Sequence, residues 1–186
     1  MRTLACFLEE PSARAFLEGV LPRILPEDVE VRYVVFQGKQ DLEKQIERKL
    51  RCWKKPDTLF LVMRDQDAAI CTKVKEKLAH LCMAAGKPDT LVRIACHELE
   101  SFYIGDLSAT GKALGLNGLA TLSGKAGYRN PDKIQHPSRE LDRLTRGIYQ
   151  KIGSSREIGK IISIEGNASQ SFNVLISGIR RICGIA

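Results

Sequence analysis

The first hundred residues alternate short apolar runs with longer amphipathic stretches, and this alternation restricts the fold more than any other feature. The apolar runs, which are typical of β-strands, cover 3–8, 29–36, 58–63 and 90–95. Between them, apolar side chains recur at helical spacing over 12–25, 41–53 and 69–85. Strands that alternate with helices predict βαβ crossovers. We therefore expect an α/β fold with a Rossmann-like parallel sheet of about four strands, covered by helices on both faces.

Two residues are expected to set helix ends in this part of the chain. Pro22 lies inside the first helical pattern, where proline ends or kinks a helix. Asp41 precedes the second pattern and is the residue type that favours an N-cap.

Beyond Gly105 the pattern changes to loops and helices. Helical segments are predicted at 107–114, 138–144, 155–162 and 169–183, with a stretch rich in Gly, Asn and Pro between the first two. We therefore expect an α/β core over 1–106 and a basic helical extension over 107–186 that packs on it.

Acidic residues follow the first and third predicted strands. Glu9 comes after the first strand, and Asp65 and Asp67 come after the third. In the strand order 2-1-3-4 these two strands flank the point where the order reverses, so their carboxyl ends would meet. If the backbone is extended, Asp65 and Asp67 point the same way and could face one ion. Carboxylates in such a place are typical ligands of Mg²⁺ or Mn²⁺.

A further acidic pair follows the fourth predicted strand. Glu98 and Glu100 share a side if the chain is extended, whereas only one of them could face the site if a helix begins there. Both could equally be acids that complement the dipole of a helix N-terminus.

The charge is distributed unevenly. The 186 residues carry a net charge of +7; residues 121–186 hold 11 Lys and Arg against 5 Asp and Glu. This basic third favours a nucleic-acid partner, and a solvated basic face is the alternative. Candidate phosphate-binding residues are Lys39, Arg64, Lys125, Arg129, Lys133, Arg139 and Lys151, and Tyr128, Tyr149 and Phe172 are candidates for stacking on bases, with core packing favoured for Phe172.

Several classes of protein are disfavoured. The six cysteines form no C-x-x-C pair, which argues against a zinc site or a disulfide framework. Gly118–Lys125 fails the spacing of a P-loop, and neither a nucleophile elbow nor a zinc-protease motif is present. No apolar stretch approaches the roughly 18 residues of a membrane span, and a cytoplasmic location without a signal peptide is expected.

Ordered motifs along nearly the whole chain resemble a bacterial toprim-like family of unknown function. They are Phe7–Ser12 with Arg14–Glu18, Gly38–Leu42, Leu61–Asp67, Cys96–Ser101, Gly105–Leu107, Pro137–Leu141, Tyr149–Lys151 and Ser169–Phe172. This family is related to the toprim superfamily and to the nuclease half of overcoming-lysogenization-defect (OLD) nucleases. The resemblance implies that Glu9, Asp65 and Asp67 bind Mg²⁺, with Glu98 and Glu100 as additional acids for a second ion.

The resemblance also implies a function. We expect a Mg²⁺-dependent nuclease that hydrolyses DNA or RNA, with Glu9, Asp65, Asp67 and Glu98 as catalytic acids. By the same resemblance, an ABC- or AAA-type ATPase partner and a role in defence against phage or mobile DNA are expected. Oligomeric state is left open.

Two alternatives remain beside the nuclease. Toprim openings usually have Gly after the first acid, but this chain has Glu10. This departure favours a catalytically weak subunit that binds or regulates an ATPase or nucleic acid. The same acids could also support phosphotransfer on nucleotides or small phosphate esters.

Overall fold

The computed structural model describes residues 2–185 and contains one parallel sheet of four strands. The strands are β1 (Arg2–Leu8), β2 (Val29–Val35), β3 (Thr58–Asp65) and β4 (Leu91–Ala95), in the order β2-β1-β3-β4. The predicted fold class and strand order are therefore confirmed. Leu8, the last residue of β1, pairs with Val35 on one side and Met63 on the other, so the carboxyl ends of three strands lie at one edge.

Eight α-helices connect and cover the strands within the described residues. They are α1 (Pro11–Val20), α2 (Lys39–Arg51), α3 (Cys71–Ala84), α4 (Glu100–Ile104), α5 (Leu107–Ala113), α6 (Pro137–Thr145), α7 (Lys151–Ile161) and α8 (Gln170–Cys183). Short 3-10 turns lie at Leu21–Arg23, Leu119–Leu122, Ala126–Tyr128 and Pro131–Lys133. Within residues 2–185, no helix combines the length and the apolar character needed to cross a membrane.

Helices α2 and α7 begin before their predicted starts, whereas the end of α1 agrees with the prediction. Pro22 does end α1 early, in a 3-10 turn, as expected. The prediction of Asp41 as an N-cap is wrong, because α2 begins at Lys39 and the N-cap is Gly38, whose φ of 91° favours glycine. Asp41 instead lies in the first turn and accepts a hydrogen bond from the backbone N–H of Gln37. Helix α7 begins at Lys151, four residues before the predicted start.

Strand β1 is buried on both faces because it lies between two neighbours and between two layers of helices. Leu4, Cys6 and Leu8 face the layer that contains α1 and the C-terminal helices. Ala5 and Phe7 face the layer that contains α2 and α3. This explains why β1 is an apolar run without polar alternation.

The residues after α4 attach to the sheet layer through polar contacts and shared apolar packing. Asp106 accepts a hydrogen bond of 2.9 Å from the Ser163 N–H, and the Asn167 side-chain amide donates to the Phe102 carbonyl at 3.0 Å. Phe172 is fully buried in the same apolar cluster as Phe16 and Phe102, so the expectation of core packing for Phe172 is confirmed. The division into two domains at residue 106 stays a prediction.

Helices α1 and α7 cross in direct backbone contact because glycines occur on both. A Cβ atom at Gly19 would lie 2.5 Å from the Gly159 carbonyl carbon, and one at Gly159 would lie 2.3 Å from the Phe16 oxygen. Both distances are shorter than van der Waals contact allows. The crossing matters for the site because α7 begins with Lys151.

We expect Gly159→Ala to lower the free energy of unfolding by about 1–3 kcal/mol, since the added methyl must push two backbones apart. The matched control is Gly153→Ala in the same helix, where a Cβ meets nothing within 4 Å. This control should be neutral or stabilising by about 0.5–1 kcal/mol, because alanine loses less backbone entropy than glycine. Urea unfolding measures both, and equal effects would contradict the account of the crossing.

Candidate functional site

The site begins with Glu9, the residue that follows β1. Its carboxylate accepts a hydrogen bond of 3.0 Å from the backbone N–H of Asp65 at the end of β3. The Glu9 N–H in turn donates to the Met63 carbonyl at 3.3 Å. These two bonds join the ends of β1 and β3, so the predicted meeting of the first two acidic clusters is observed.

Arg64 is the buried cation of the site. Its side chain is 3% exposed. Its guanidinium donates to Glu43 at 2.8 Å and to Asp67 at 3.4 Å, and lies 3.8 Å from Glu9. Its Nε also donates to the Asp65 carbonyl at 2.9 Å. Arg64 is a predicted phosphate-binding residue, but in the structure it is turned inward and paired with the protein's own acids.

Asp67 does not continue the extended chain of β3. Its φ of 56° lies in the left-handed region, which Asp tolerates better than most residues. Its carboxylate accepts from Lys39 Nζ at 2.9 Å, and its backbone N–H donates to the His97 carbonyl at 2.8 Å. The extended geometry that would aim Asp65 and Asp67 in the same direction is therefore absent.

Asp65 lies instead among other acids. Burial raises its pKa well above the usual range, and the nearby carboxylates of Glu100, Glu10 and Glu9 raise it further, while Lys151 lowers it. Burial likewise raises the pKa of Glu9, against the opposing effects of the Asp65 N–H and Arg64. The site therefore concentrates more negative charge around Asp65 than the adjacent cations neutralise.

Glu100 supplies the buried acid opposite Asp65. It is the first residue of α4, is 1% exposed, and accepts a hydrogen bond of 2.8 Å from the hydroxyl of Tyr149. Burial raises its pKa, and the Tyr149 hydroxyl and Lys151 oppose this shift. Tyr149 is a candidate for stacking on bases in the sequence, but in the structure its hydroxyl donates to the Glu100 carboxylate.

Glu98 has a different environment from Glu100. Its carboxylate accepts a hydrogen bond of 2.7 Å from the backbone N–H of Ser138 in the first turn of α6. It also borders a cleft of about 460 Å³ that is lined by Asp67, Ala68, His97, Glu98, Gln135 and His136. Because α4 begins at Glu100, the two glutamates do not share one side as they would in an extended chain.

Lys151 brings a cation from the distant helix α7 to this cluster. Its Nζ pairs with Glu10 at 2.7 Å, and about half of its side chain is exposed. Its positive charge also lowers the pKa of Asp65 and of Glu100. Of the predicted substrate-binding residues, Lys39 and Lys151 are thus the two exposed cations that touch acids of the site.

The other predicted phosphate-binding residues lie on the surface of the extension. Lys125, Arg129, Lys133 and Arg139 are all exposed. The Arg129 side chain donates to the Gly124 carbonyl at 3.1 Å, and Tyr128 donates to Glu140 at 2.7 Å. The structure shows no contact of these four cations with the acids around Asp65 among the hydrogen bonds and ion pairs of residues 2–185.

The acidic side chains around Asp65 are of the kind that a hard divalent cation takes as ligands. Mg²⁺ takes carboxylate oxygens and keeps several waters, and the clustered acids around Asp65 provide oxygen ligands with unneutralised charge. Within residues 2–185, no three His, Cys, Asp or Glu side chains are arranged to hold a metal ion. Binding would therefore draw Asp65, Glu9 and Glu100 or Glu10 together from their present positions.

Sequence reasoning missed three contributors to the site. In the sequence Glu10 is only a departure from the toprim pattern. In the structure it raises the pKa of Asp65 and pairs with Lys151. Glu43 was not considered, although it lies one helical turn after Lys39 on α2 and this spacing could have indicated it. For Tyr149 as a partner of Glu100, the sequence contains no local signal, because the two residues are 49 positions apart.

Together, the four-stranded parallel sheet and the acids at its carboxyl edge define a toprim-like α/β protein. A family model described as a domain of unknown function (DUF4276) matches residues 8–180, and the chain belongs to this family. The predicted resemblance is thus confirmed. A search of curated proteins finds no match.

Two solved structures are similar to this chain. The C-terminal region of the Burkholderia pseudomallei OLD protein is 15% identical, with 97% of this chain and 98% of that chain covered and a TM-score of 0.57. The C-terminal region of the Xanthomonas campestris pv. campestris OLD protein is 16% identical, with 97% and 96% covered and a TM-score of 0.49. At 15% identity, the likeness to the Burkholderia pseudomallei structure is one of fold.

We expect Arg64→Gln to lower the free energy of unfolding by about 3 kcal/mol, because it leaves the partly buried carboxylates of Glu9, Glu43 and Asp67 without their buried cation. The matched control is Lys77→Gln, which removes an exposed partner of the same Glu43 (2.6 Å, 58% exposed) and should cost less than about 1 kcal/mol. Chemical unfolding measures the free energy of unfolding of both variants. If both lose an equal, small amount, Arg64 does not organise the acids.

The stability of the fold should depend on pH through Asp65. Because folding raises the pKa of Asp65, the folded protein binds more protons than the unfolded one above the ordinary aspartate range, so ionised Asp65 destabilises the fold as pH rises. In EDTA, Asp65→Asn should therefore be more stable than wild type at neutral pH, and the difference should shrink as pH falls.

Thermal unfolding across a pH series measures this difference. Asp89→Asn, at an exposed position before β4 and hence at the opposite sheet edge, controls for loss of one negative charge. If Asp65→Asn is less stable than wild type at neutral pH, the prediction is contradicted.

Proposed function

We propose that this protein is a Mg²⁺-dependent phosphodiester hydrolase, a nuclease that cleaves DNA or RNA. The observation that carries the proposal is the group of acids around Asp65 at the carboxyl edge of the sheet, where β1 and β3 flank the reversal of strand order. Ligands of open parallel sheets bind at this place. The family resemblance in the sequence and the OLD-like fold support the same conclusion.

In this proposal Asp65 and Glu9 hold the divalent cation, and Glu100 or Glu10 completes its ligands. The cation, when bound, polarises a phosphoryl oxygen and supplies an activated water. Lys39 and Lys151, both about half exposed beside these acids, would attract the phosphate backbone. Arg64 keeps Glu9 and Asp67 in place from beneath.

The exposed cations of the extension would act on nucleic acid farther from the scissile bond. Contacts of Lys and Arg to phosphate supply affinity without sequence preference and weaken steeply with salt. An ATPase partner and a role in defence against phage or mobile DNA are part of the same proposal and rest on the family resemblance.

A binding or regulatory subunit is the second candidate function. Glu10 adds a carboxylate where toprim openings usually have glycine, and Lys151 is already paired with it. Lys39 is likewise paired with Asp67. These internal ion pairs favour a site that holds its own acids and cations together without cleaving phosphate.

We expect purified protein to cleave plasmid, single-stranded DNA or tRNA in Mg²⁺ or Mn²⁺ but not in EDTA. Asp65→Asn with Glu9→Gln should lower the rate at least about 100-fold, because both are proposed metal ligands and such ligands contribute several kcal/mol to transition-state stabilisation. Asp89→Asn, an exposed aspartate distant from the site, is the matched control and should cleave at the wild-type rate.

Gel electrophoresis of the products distinguishes the candidate functions. Cleavage that the double variant retains would exclude the proposed acids. No cleavage with either metal, combined with salt-sensitive binding of the same nucleic acids, would favour the binding subunit. Activity on mononucleotides alone would select phosphotransfer on small phosphate esters.

A further inference from the structure

Two cysteine thiols meet beside the candidate site. Cys71 is the first residue of α3, and Cys96 directly follows β4. Their Sγ atoms are 3.9 Å apart, in sulfur–sulfur contact. A disulfide needs a separation of about 2 Å, so the two sulfur atoms must approach each other by about a further 2 Å to bond.

Both thiols can be reached from solvent. Cys71 and Cys96 are partly exposed, and they border the same cavity of about 220 Å³ together with Lys75 and Ser171. Cys6, Cys82 and Cys183 are buried in the apolar layers. The pair therefore differs from the buried cysteines in access, and from the exposed Cys52 in having a second thiol beside it.

We propose that Cys71 and Cys96 form a reversible disulfide under oxidation by a peroxide. Cys71, the first residue of the 14-residue helix α3, is the thiol that reacts first in this scheme. Its thiolate attacks hydrogen peroxide, the O–O bond breaks, and the leaving hydroxide takes a proton to become water.

The second step closes the disulfide. The sulfur of Cys96 attacks the sulfenic sulfur of Cys71, the S–O bond breaks, and the hydroxide leaves as water with the Cys96 proton. The two thiols together supply two electrons, which reduce one peroxide to two waters. A dithiol reductant reverses the reaction.

The disulfide would join the two loops that carry acids of the site. Cys71 follows the loop that contains Asp67, and Cys96 precedes His97, whose ring Nδ1 lies 2.9 Å from the Asp67 carbonyl oxygen. A covalent bond here would add to the hydrogen bonds that already connect the loops, including Gln66 N–H to Ala95 O at 2.9 Å. Oxidation would thus restrict movement of the loops that follow β3 and β4. This inference does not depend on the proposed nuclease activity.

Peptide mapping of the wild-type protein tests the proposal directly. The reduced protein is treated with hydrogen peroxide, remaining thiols are blocked with iodoacetamide, and the chain is digested with trypsin. We expect the peptides 65–73 and 94–112, which contain Cys71 and Cys96, to appear as one linked species that dithiothreitol separates. Recovery of both peptides alkylated to the same extent as before peroxide would overturn the proposal, as would sulfinic acid at Cys71 with Cys96 still alkylated.

Two variants and a second measurement complete the test. Cys52→Ser should form the link to the wild-type extent, whereas Cys71→Ser should form none; equal loss in both would point to a different cysteine pair. In the linked protein, amide hydrogen exchange over 66–70 and 96–99 should be slower than in the reduced protein. Unchanged exchange there would overturn the proposed effect on the loops.

Discussion

The buried guanidinium of Arg64 is the interaction on which the rest of the site depends. A charge that is removed from water must keep its partners, and the carboxylates that pair with Arg64 come from the residue after β1, from α2 and from the loop after β3. The cation thereby fixes α2 and that loop relative to the sheet. Lys39, which pairs with Asp67, is held in place by the same arrangement.

The site has two parts that lie on opposite faces of the sheet and differ in charge. Arg64 and Asp65 are neighbours in β3, so their side chains leave opposite faces of the sheet. Arg64 meets α2 on one face and is neutralised there. Asp65 meets α4 and the start of α7 on the other face, where Glu100 and Glu10 outnumber Lys151. This surplus of negative charge is costly to the fold, and such a cost is typical of a site kept for binding a cation.

The sequence predicted the sheet closely and the site in outline. The apolar runs gave the strands to within two residues, and the observed order is the one, 2-1-3-4, in which β1 and β3 lie together. The contact between Glu9 and the end of β3 follows from that order. The direction of Asp67 could not be predicted, because its left-handed backbone depends on hydrogen bonds to the loop after β4. The inward position of Arg64 likewise depends on Glu43, an acid on another element.

The sequence by itself determined the fold class and the edge of the sheet at which the acids gather, because periodicities of two and 3.6 residues and the direction of parallel strands are local properties of a chain. Only the tertiary structure decided which acids face each other. Glu100 faces Asp65 and Glu98 caps α6 because residues 40 to 50 positions farther along, Ser138 and Tyr149, return to this edge. Their return depends on close contacts such as the glycine crossing of α1 and α7, which result from packing in three dimensions and have no signature in the spacing of the acids.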